Sequence, residues 1–179
     1  ERYLELLEKT FIIFPLSAYS TNPRKEIGKK KKYYFYDLGI RNGLIDNFSK
    51  LSQRGDLGAL WENFCIVERL KKNNYESRHA RPFFWRTVSG GEVDYIELKG
   101  DQGEAFEFKW SSKKTKIPRS FKHEYPHFTW EIISTKNPAN ADSLVTLWQR
   151  KTPRIAGQAS SGLCPKIVKI VFLRDVTLC

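Results

Sequence analysis

The sequence predicts an α/β domain with a mixed sheet, and three observations lead to this fold class. Residues 57–72 place apolar side chains at helical spacing, which predicts a long amphipathic helix. Residues 82–110 contain three short runs rich in β-branched and aromatic residues, which predict strands. A basic, helix-like segment over residues 117–125 then precedes a strand-like run over residues 128–134. The order helix, three strands, helix, strand implies a mixed sheet with both faces covered.

The first part of the chain predicts a helix followed by a hairpin. Residues 1–9 place Tyr and Leu side chains at helical spacing, and residues 11–14 and 33–36 are apolar and aromatic runs that predict two strands. A helix followed by a hairpin is typical of the closing half of a winged-helix unit. Asp37 is a suitable N-cap for a short helix over residues 38–45.

The predicted organisation has three parts. Residues 1–50 form a winged-helix remnant and linker, residues 51–140 form the core, and residues 141–179 form a tail to which no function is assigned. A polar connection over residues 46–55 marks the boundary between the first two parts. Within the tail, residues 167–173 favour one last strand.

Glu62 is the candidate site residue on the long helix. Asp56 is a suitable cap for this helix, and Glu62 lies at the margin of its apolar stripe. A carboxylate beside apolar neighbours is a candidate third acid of a site, although an isolated Glu at such a position is more often a surface residue. Residues 75–80 and 82–87 then predict an edge strand and the strand that leads into a hairpin.

That hairpin contains the remaining candidates, Asp94, Glu107 and Lys109. Side chains two residues apart on a strand share a face, so Glu107 and Lys109 point the same way. With a two-residue type II′ turn formed by Gly100 and Asp101, Asp94 lies opposite Glu107 and the three side chains form one cluster. With an odd number of loop residues and no bulge, Asp94 lies on the opposite face.

Acidic side chains within apolar strands indicate a metal site. Two neighbouring buried carboxylates repel each other and are costly to ionise. Mg²⁺ prefers carboxylate oxygens and accepts phosphate oxygens as further ligands. A lysine beside them can orient the attacking water or neutralise charge on a phosphate. The alternative is a Glu107–Lys109 ion pair on an exposed face, but Phe106 and Phe108, on either side of Glu107, favour a covered strand.

The charge balance favours polyanionic partners. Lys and Arg number 31 against 20 Asp and Glu, which gives a net charge of +11. The candidate nucleic-acid contacts are Lys29, Lys30, Lys31, Lys32, Arg86 and Lys113. The four consecutive lysines, as the wing of the hairpin, would contact phosphates. A solvated hairpin flank explains them equally well, because charge runs alone are weak evidence.

The cysteines indicate the compartment. Cys65, Cys164 and Cys179 are far apart and provide neither a metal-ligand spacing nor a disulfide framework, so a reducing interior is expected. No apolar run approaches the roughly 20 residues that cross a bilayer, and no signal peptide is visible. The sequence predicts a cytoplasmic protein without a membrane partner.

Four stretches are informative when taken together, namely residues 34–42, 58–63, 85–87 and 91–94. They resemble the uncharacterised C-terminal domain found on many bacterial and archaeal AAA-type ATPases. The resemblance extends from about residue 2 to about residue 140. It implies that an ATPase module lies upstream of Glu1 in the full-length protein.

The order of acids and lysine along the predicted helix, strand and hairpin also resembles the PD-(D/E)XK nuclease superfamily. This resemblance implies a restriction-endonuclease-like αβββαβ core with a preceding winged-helix remnant. It further implies that Glu62, Asp94 and Glu107 are metal ligands for Mg²⁺ or Mn²⁺. Lys109 would be the catalytic lysine.

Two functions are consistent with these patterns. The first is a divalent-metal-dependent, endonuclease-like domain that acts on or binds DNA as the C-terminal part of an AAA-type ATPase. The second is a catalytically silent module by which that ATPase docks on DNA or protein. The intact Glu107-x-Lys109 pattern favours the first function, whereas attachment to a motor favours the second.

Overall fold

The computed structural model of the chain describes residues 2–21, 30–111 and 115–135. Within these ranges the chain forms a six-stranded mixed sheet with helices packed on both faces, which confirms the predicted α/β class. The α-helices of this part of the chain are α1 (Arg2–Lys9), α2 (Leu38–Leu44), α3 (Leu57–Tyr75) and α4 (Arg119–Glu124). The strands are β1 (Ile13–Ala18), β2 (Lys31–Phe35), β3 (Arg81–Arg86), β4 (Glu92–Lys99), β5 (Gln102–Lys109) and β6 (Thr129–Ser134).

The strand order in the sheet is β2-β1-β3-β4-β5-β6. The β1–β3 and β5–β6 pairs are parallel, and the other pairs are antiparallel. The N-terminal hairpin therefore extends the same sheet as β3 to β6, through a short ladder that pairs Ser17 with Phe83 and Ala18 with Phe84. From α3 onward, the predicted order helix, three strands, helix, strand is observed.

The long helix α3 covers one face of the sheet, and α4 covers the other. On the α3 side, Trp61 packs in one core with Tyr95 and Phe106. On the α4 side, Phe121 packs in a second core with Ile96. Because both faces are covered, β4 and β5 are buried along most of their length. Charged side chains within these two strands therefore lie in apolar surroundings.

A two-residue turn formed by Gly100 and Asp101 connects β4 to β5, as the sequence predicts. Lys99 pairs with Gln102 across the turn, and Gly100 has a φ of +60°. The φ of Asp101 is not positive. A positive φ at the first turn position only is the pattern of a type II′ turn. Glycine suits the first turn position because it adopts positive φ without steric cost.

One of the two predicted helix caps forms, and the other does not. Asp37 caps α2 as predicted, since its carboxylate accepts a hydrogen bond from the backbone N–H of Ile40 at 3.0 Å. The predicted cap Asp56 makes no capping hydrogen bond to α3. Its carboxylate instead binds Arg54 at 2.8 Å and Arg41 at 2.9 Å. The hydrogen bond from Arg54 is the main reason why the pKa of Asp56 lies well below its usual range.

Two predicted strands also require correction. The edge strand expected over residues 75–80 does not form, because α3 extends into this segment and the following turn holds Ser77 and His79 at a φ of +50°. Positive φ values are incompatible with an extended strand. The run over residues 11–14 predicts a strand that ends at a proline, but β1 continues through Pro15.

No described helix is long and apolar enough to span a membrane. The tail over residues 141–179, with its predicted strand at residues 167–173, lies outside the described ranges.

Candidate active site

Asp94, Glu107 and Lys109 converge at the end of the β4–β5 hairpin that lies away from its turn. The Lys109 ammonium lies 2.5 Å from Oε1 of Glu107 and 4.0 Å from Oδ2 of Asp94. One lysine therefore contacts both carboxylates. These are the three hairpin residues that the sequence predicts as one cluster for a two-residue turn.

A β-bulge in β4 helps to place Asp94. Phe83 pairs with Ile96, and Trp85 pairs with Val93, so two steps along β3 correspond to three steps along β4. Asp94 and Tyr95 lie between these pairs, opposite Phe84 alone, so Asp94 is part of the bulge. Bulges bend a strand and re-aim its side chains, and they occur frequently beside active sites.

The partner of Asp94 on β5 differs from the predicted one. In the described sheet the β4–β5 ladder ends at the Tyr95–Phe106 pair, so Asp94 does not form the predicted backbone pair with Glu107. Its Oδ2 instead accepts a hydrogen bond from the backbone N–H of Phe108 at 2.9 Å. The carboxylate takes the place of a strand carbonyl, and this bond holds it against β5.

Both hairpin carboxylates are buried, with Asp94 7% and Glu107 6% exposed. Burial raises the pKa of Asp94 to about 7, and the charges of Glu62 and Glu107 add to the rise. The Phe108 N–H and the Lys109 ammonium act in the opposite direction. Oε2 of Glu107 is buried and has no hydrogen-bond partner among the described residues. Such a cluster is costly unless a further cation binds to it.

Lys109 keeps its charge in this environment. Burial disfavours the ammonium, but the hydrogen bond to Glu107 and the charges of Asp94 and Glu107 raise its pKa. About a third of the side chain, 34%, is exposed. The ammonium therefore faces both the acids and the solvent.

Glu62 reaches the same cluster from α3. Its Oε1 accepts a hydrogen bond from the Tyr34 hydroxyl at 2.6 Å and lies 3.4 Å from Nζ of Lys32. The Glu62 charge contributes to the raised pKa of Asp94, so the two acids are close enough to interact. The structure thus brings Asp94, Glu107 and Lys109 into contact, whereas Glu62 lies beside them with two donors on one of its oxygens.

Lys32, Tyr34 and Glu92 also belong to this cluster, and the sequence patterns do not reveal their positions in it. The patterns suggest Lys32 as a wing residue, but its ammonium lies 2.5 Å from Oε1 of Glu92 and is turned toward the acids. Tyr34 donates to Glu62 from the same strand face. One signal in the sequence could have indicated this. Lys32 and Tyr34 are two residues apart on a strand, so their side chains lie on the same face of the sheet.

The structure gives fewer contacts for the other predicted nucleic-acid-binding residues. Lys30 and Lys31 are exposed. Arg86 is 56% exposed, and its Nε lies 3.8 Å from a carboxylate oxygen at the rim of the cluster. Lys29 and Lys113 lie outside the described residues. None of these positions by itself identifies a nucleic-acid surface.

Two of the acids meet the needs of a divalent metal. In the described part of the chain, no group of three or more His, Cys, Asp or Glu side chains is arranged to hold a metal ion. Mg²⁺, however, is usually held by one or two carboxylates while it keeps waters and binds phosphate oxygens. Asp94 and Glu107 fit this requirement, because both are buried and Oε2 of Glu107 lacks a partner. Glu62, bound to Tyr34 and Lys32, is a neighbour of this pair.

Two cavities lie elsewhere in the described structure. One of about 670 Å³ is lined by Tyr19, Arg81 and Tyr125, among others, next to the β4–β5 turn. Another of about 420 Å³ is lined by residues that include Arg78 and Glu104. Neither cavity is lined by the acids of the cluster or by Lys109.

Two family models match the sequence. Residues 1–51 match the domain of unknown function DUF8612, and residues 57–149 match the domain of unknown function DUF4143. DUF4143 is commonly found in AAA-ATPase-associated proteins. No curated protein and no solved structure shows a significant match to the chain. Because the DUF4143 match covers more than half of the sequence, the chain belongs to the DUF4143 family.

Proposed function

We propose that this chain contains a divalent-metal-dependent, nuclease-like site of the PD-(D/E)XK type that acts on DNA. The proposal is based on the buried pair Asp94 and Glu107, with Lys109 in contact with both acids and Oε2 of Glu107 unpaired. Metal-assisted phosphodiester hydrolysis needs carboxylates that hold a cation and a positive group close to the attacked phosphate. Asp94 and Glu107 supply the carboxylates, and Lys109 supplies the positive group.

Asp94 and Glu107 would hold the ion, Mg²⁺ or Mn²⁺. When bound, such an ion acts as a Lewis acid toward the phosphate and lowers the pKa of a bound water. The two acids repel each other in a buried site, and a cation between them would relieve this repulsion. Because ligating carboxylates must be deprotonated, the raised pKa of Asp94 makes cation binding dependent on pH.

Lys109 would supply a positive charge directed at the substrate. Its ammonium contacts both acids, and its side chain is partly exposed. From this position it can donate a hydrogen bond to a phosphate oxygen or to the attacking water. Glu62 would act through Asp94, since its negative charge adds to the attraction for a cation.

DNA as the substrate is supported by charge and by family context. The chain has a net charge of +11, and Lys30, Lys31 and Arg86 are exposed. A positive surface attracts a phosphate backbone. The association of DUF4143 with AAA ATPases further supports a role beside an ATPase module, upstream in the same protein.

A second candidate function is a catalytically silent docking module of such an ATPase. It is favoured by the ion pairs that the lysines of this chain already form with the acids. Lys109 pairs with Glu107, and Lys32 pairs with Glu62 and Glu92. Ion-pair networks with a structural role also perturb pKa values, so the raised pKa of Asp94 does not by itself distinguish the two functions.

A nicking assay on supercoiled plasmid tests the first proposal. With Mg²⁺ or Mn²⁺, we expect wild-type protein to nick the plasmid and Asp94→Asn and Lys109→Met to lose about 100-fold or more in rate. Both substitutions retain the approximate size of the side chain. Lys99→Met is the matched control, because Lys99 is exposed at the other end of the same hairpin, and it should nick like wild type.

DNA binding is measured on the same four proteins by a gel-shift assay. Binding by all four without nicking by any of them, with either metal, would reject hydrolysis and favour the docking module. Exchange of both Lys30 and Lys31 for Gln should weaken binding and flatten its salt dependence, because each phosphate contact contributes to the salt slope. An unchanged slope would remove these lysines from the DNA interface.

A further inference from the structure

The N-terminal hairpin contributes a lysine to the acidic cluster. Lys32 on β2 lies 3.4 Å from Glu62 on α3 and 2.5 Å from Glu92 at the start of β4. Its ammonium is also 5.3 Å from the ring centroid of Phe84 on β3. Tyr34, two residues along the same strand, donates to Glu62 at 2.6 Å. Four elements of the fold thus meet around one ammonium group.

Lys32 is held there in its charged form. Burial disfavours the charge, but the carboxylates of Glu62 and Glu92 outweigh this effect and raise the pKa of Lys32. Its side chain is only 23% exposed, whereas the neighbouring Lys31 is exposed. Removal of an ammonium group from water is unfavourable unless specific partners compensate for it. The two carboxylates are these partners.

One divalent ion would neutralise the net charge of the cluster. The four carboxylates belong to Glu62, Glu92, Asp94 and Glu107, and the two ammonium groups belong to Lys32 and Lys109. With every group charged, four negative and two positive charges leave two negative charges, which one divalent ion cancels. Arg86 lies 3.8 Å from Glu92 but is more than half exposed, so solvent screens its charge.

We propose that Lys32 is a positioning residue that serves as an internal cation. It occupies the Glu62–Glu92 half of the cluster and limits the site to one divalent ion, bound at Asp94 and Glu107. This inference rests on the proposed function. It gives the segment that matches DUF8612 a direct part in a site whose acids all lie in the segment that matches DUF4143.

Calorimetric titration with MnCl₂ counts the bound ions without any need for catalysis. At about pH 8, where carboxylate ligands are deprotonated, we expect one ion per wild-type chain. Lys32→Arg keeps a cation and should also bind one ion, as should Lys99→Gln, the control at the exposed far end of the β4–β5 hairpin. The neutral variants Lys32→Met and Lys32→Gln leave the Glu62–Glu92 pair without its cation. A second divalent ion would cancel the two negative charges of this pair, so each variant should bind two ions. Both side chains are long enough to cover Phe84, and thermal unfolding is the check that each variant is folded.

The outcomes separate this inference from the proposed function. One ion in wild type and one in a folded neutral variant would overturn the role of Lys32 and leave the metal site in place. Two ions in wild type, or none in a folded neutral variant, would overturn it as well. If wild type binds no Mn²⁺, the metal site at Asp94 and Glu107 fails, and the inference fails with it.

Discussion

In the absence of divalent cations, exchange of Asp94 for Asn should stabilise the protein at neutral and alkaline pH. Asn has nearly the same shape as Asp. It also retains an oxygen that can accept the Phe108 hydrogen bond, which is 2.9 Å long in the wild-type protein. The substitution therefore removes one negative charge from a position that is only 7% exposed, and changes little else.

The pKa of Asp94 sets the sign and size of this effect. Burial, together with the charges of Glu62 and Glu107, raises it from 3.8 to about 7. The unfolded chain releases this proton near pH 3.8, whereas the folded protein keeps it up to about pH 7. Because the folded state binds more protons in this window, stability falls as the pH rises through it. The loss reaches at most about 4 kcal/mol, at about 1.4 kcal/mol per pH unit.

Urea unfolding in EDTA over a series of pH values measures this loss. The free energy difference between wild type and Asp94→Asn removes the contributions of the other acids. We expect a difference near zero at about pH 4 and an advantage of about 2–4 kcal/mol for the Asn variant at about pH 8. Asp101→Asn, at the exposed hairpin turn, is the control and should follow wild type. A difference that does not change with pH would refute the buried-charge argument.

Two further predictions concern packing and a buried ion pair. A Cβ at Gly103 would overlap the Phe128 ring, so Gly103→Ala should lose about 1–3 kcal/mol in thermal unfolding. Gly58→Ala, with open space on a helix, should instead gain about 0.5–1 kcal/mol, and equal effects would contradict the overlap. Arg69→Met should lose about 3 kcal/mol, because Glu97 stays buried without its bidentate partner. Addition of Glu97→Gln should recover much of this loss in urea unfolding, and no recovery would exclude the ion pair as its cause.

The hairpin of the site was predictable because its determinants are local. Glu107 and Lys109 share a face through the two-residue period of a strand, and the dipeptide Gly100-Asp101 favours a two-residue turn. Together they define the observed register of β4 against β5, since a shift by one residue would exchange the faces. The long helix was predictable for a similar reason, because its apolar stripe repeats within a short window.

Other features depend on contacts between distant parts of the chain. The bulge that contains Asp94 arises from the pairing of β4 with β3, and the local residues of β4 give no sign of it. The position of Lys32 depends on the parallel pairing of β1 with β3, which hydrophobic periodicity does not encode. Within a run of four lysines, nothing local distinguishes the one that turns inward. The first and third strands become neighbours only in the folded sheet.

The short ladder between β1 and β3 has a consequence for folding kinetics. It contains two residue pairs, yet it closes the long stretch of chain between Ala18 and Phe83. The entropy lost on closing such a loop must be overcome before the distant pairs contribute any stability. The β3–β4–β5 meander is held by contacts close in sequence, so we expect it to form early and the N-terminal hairpin to dock in a late step. The acidic cluster would receive its internal cation only at the end of folding.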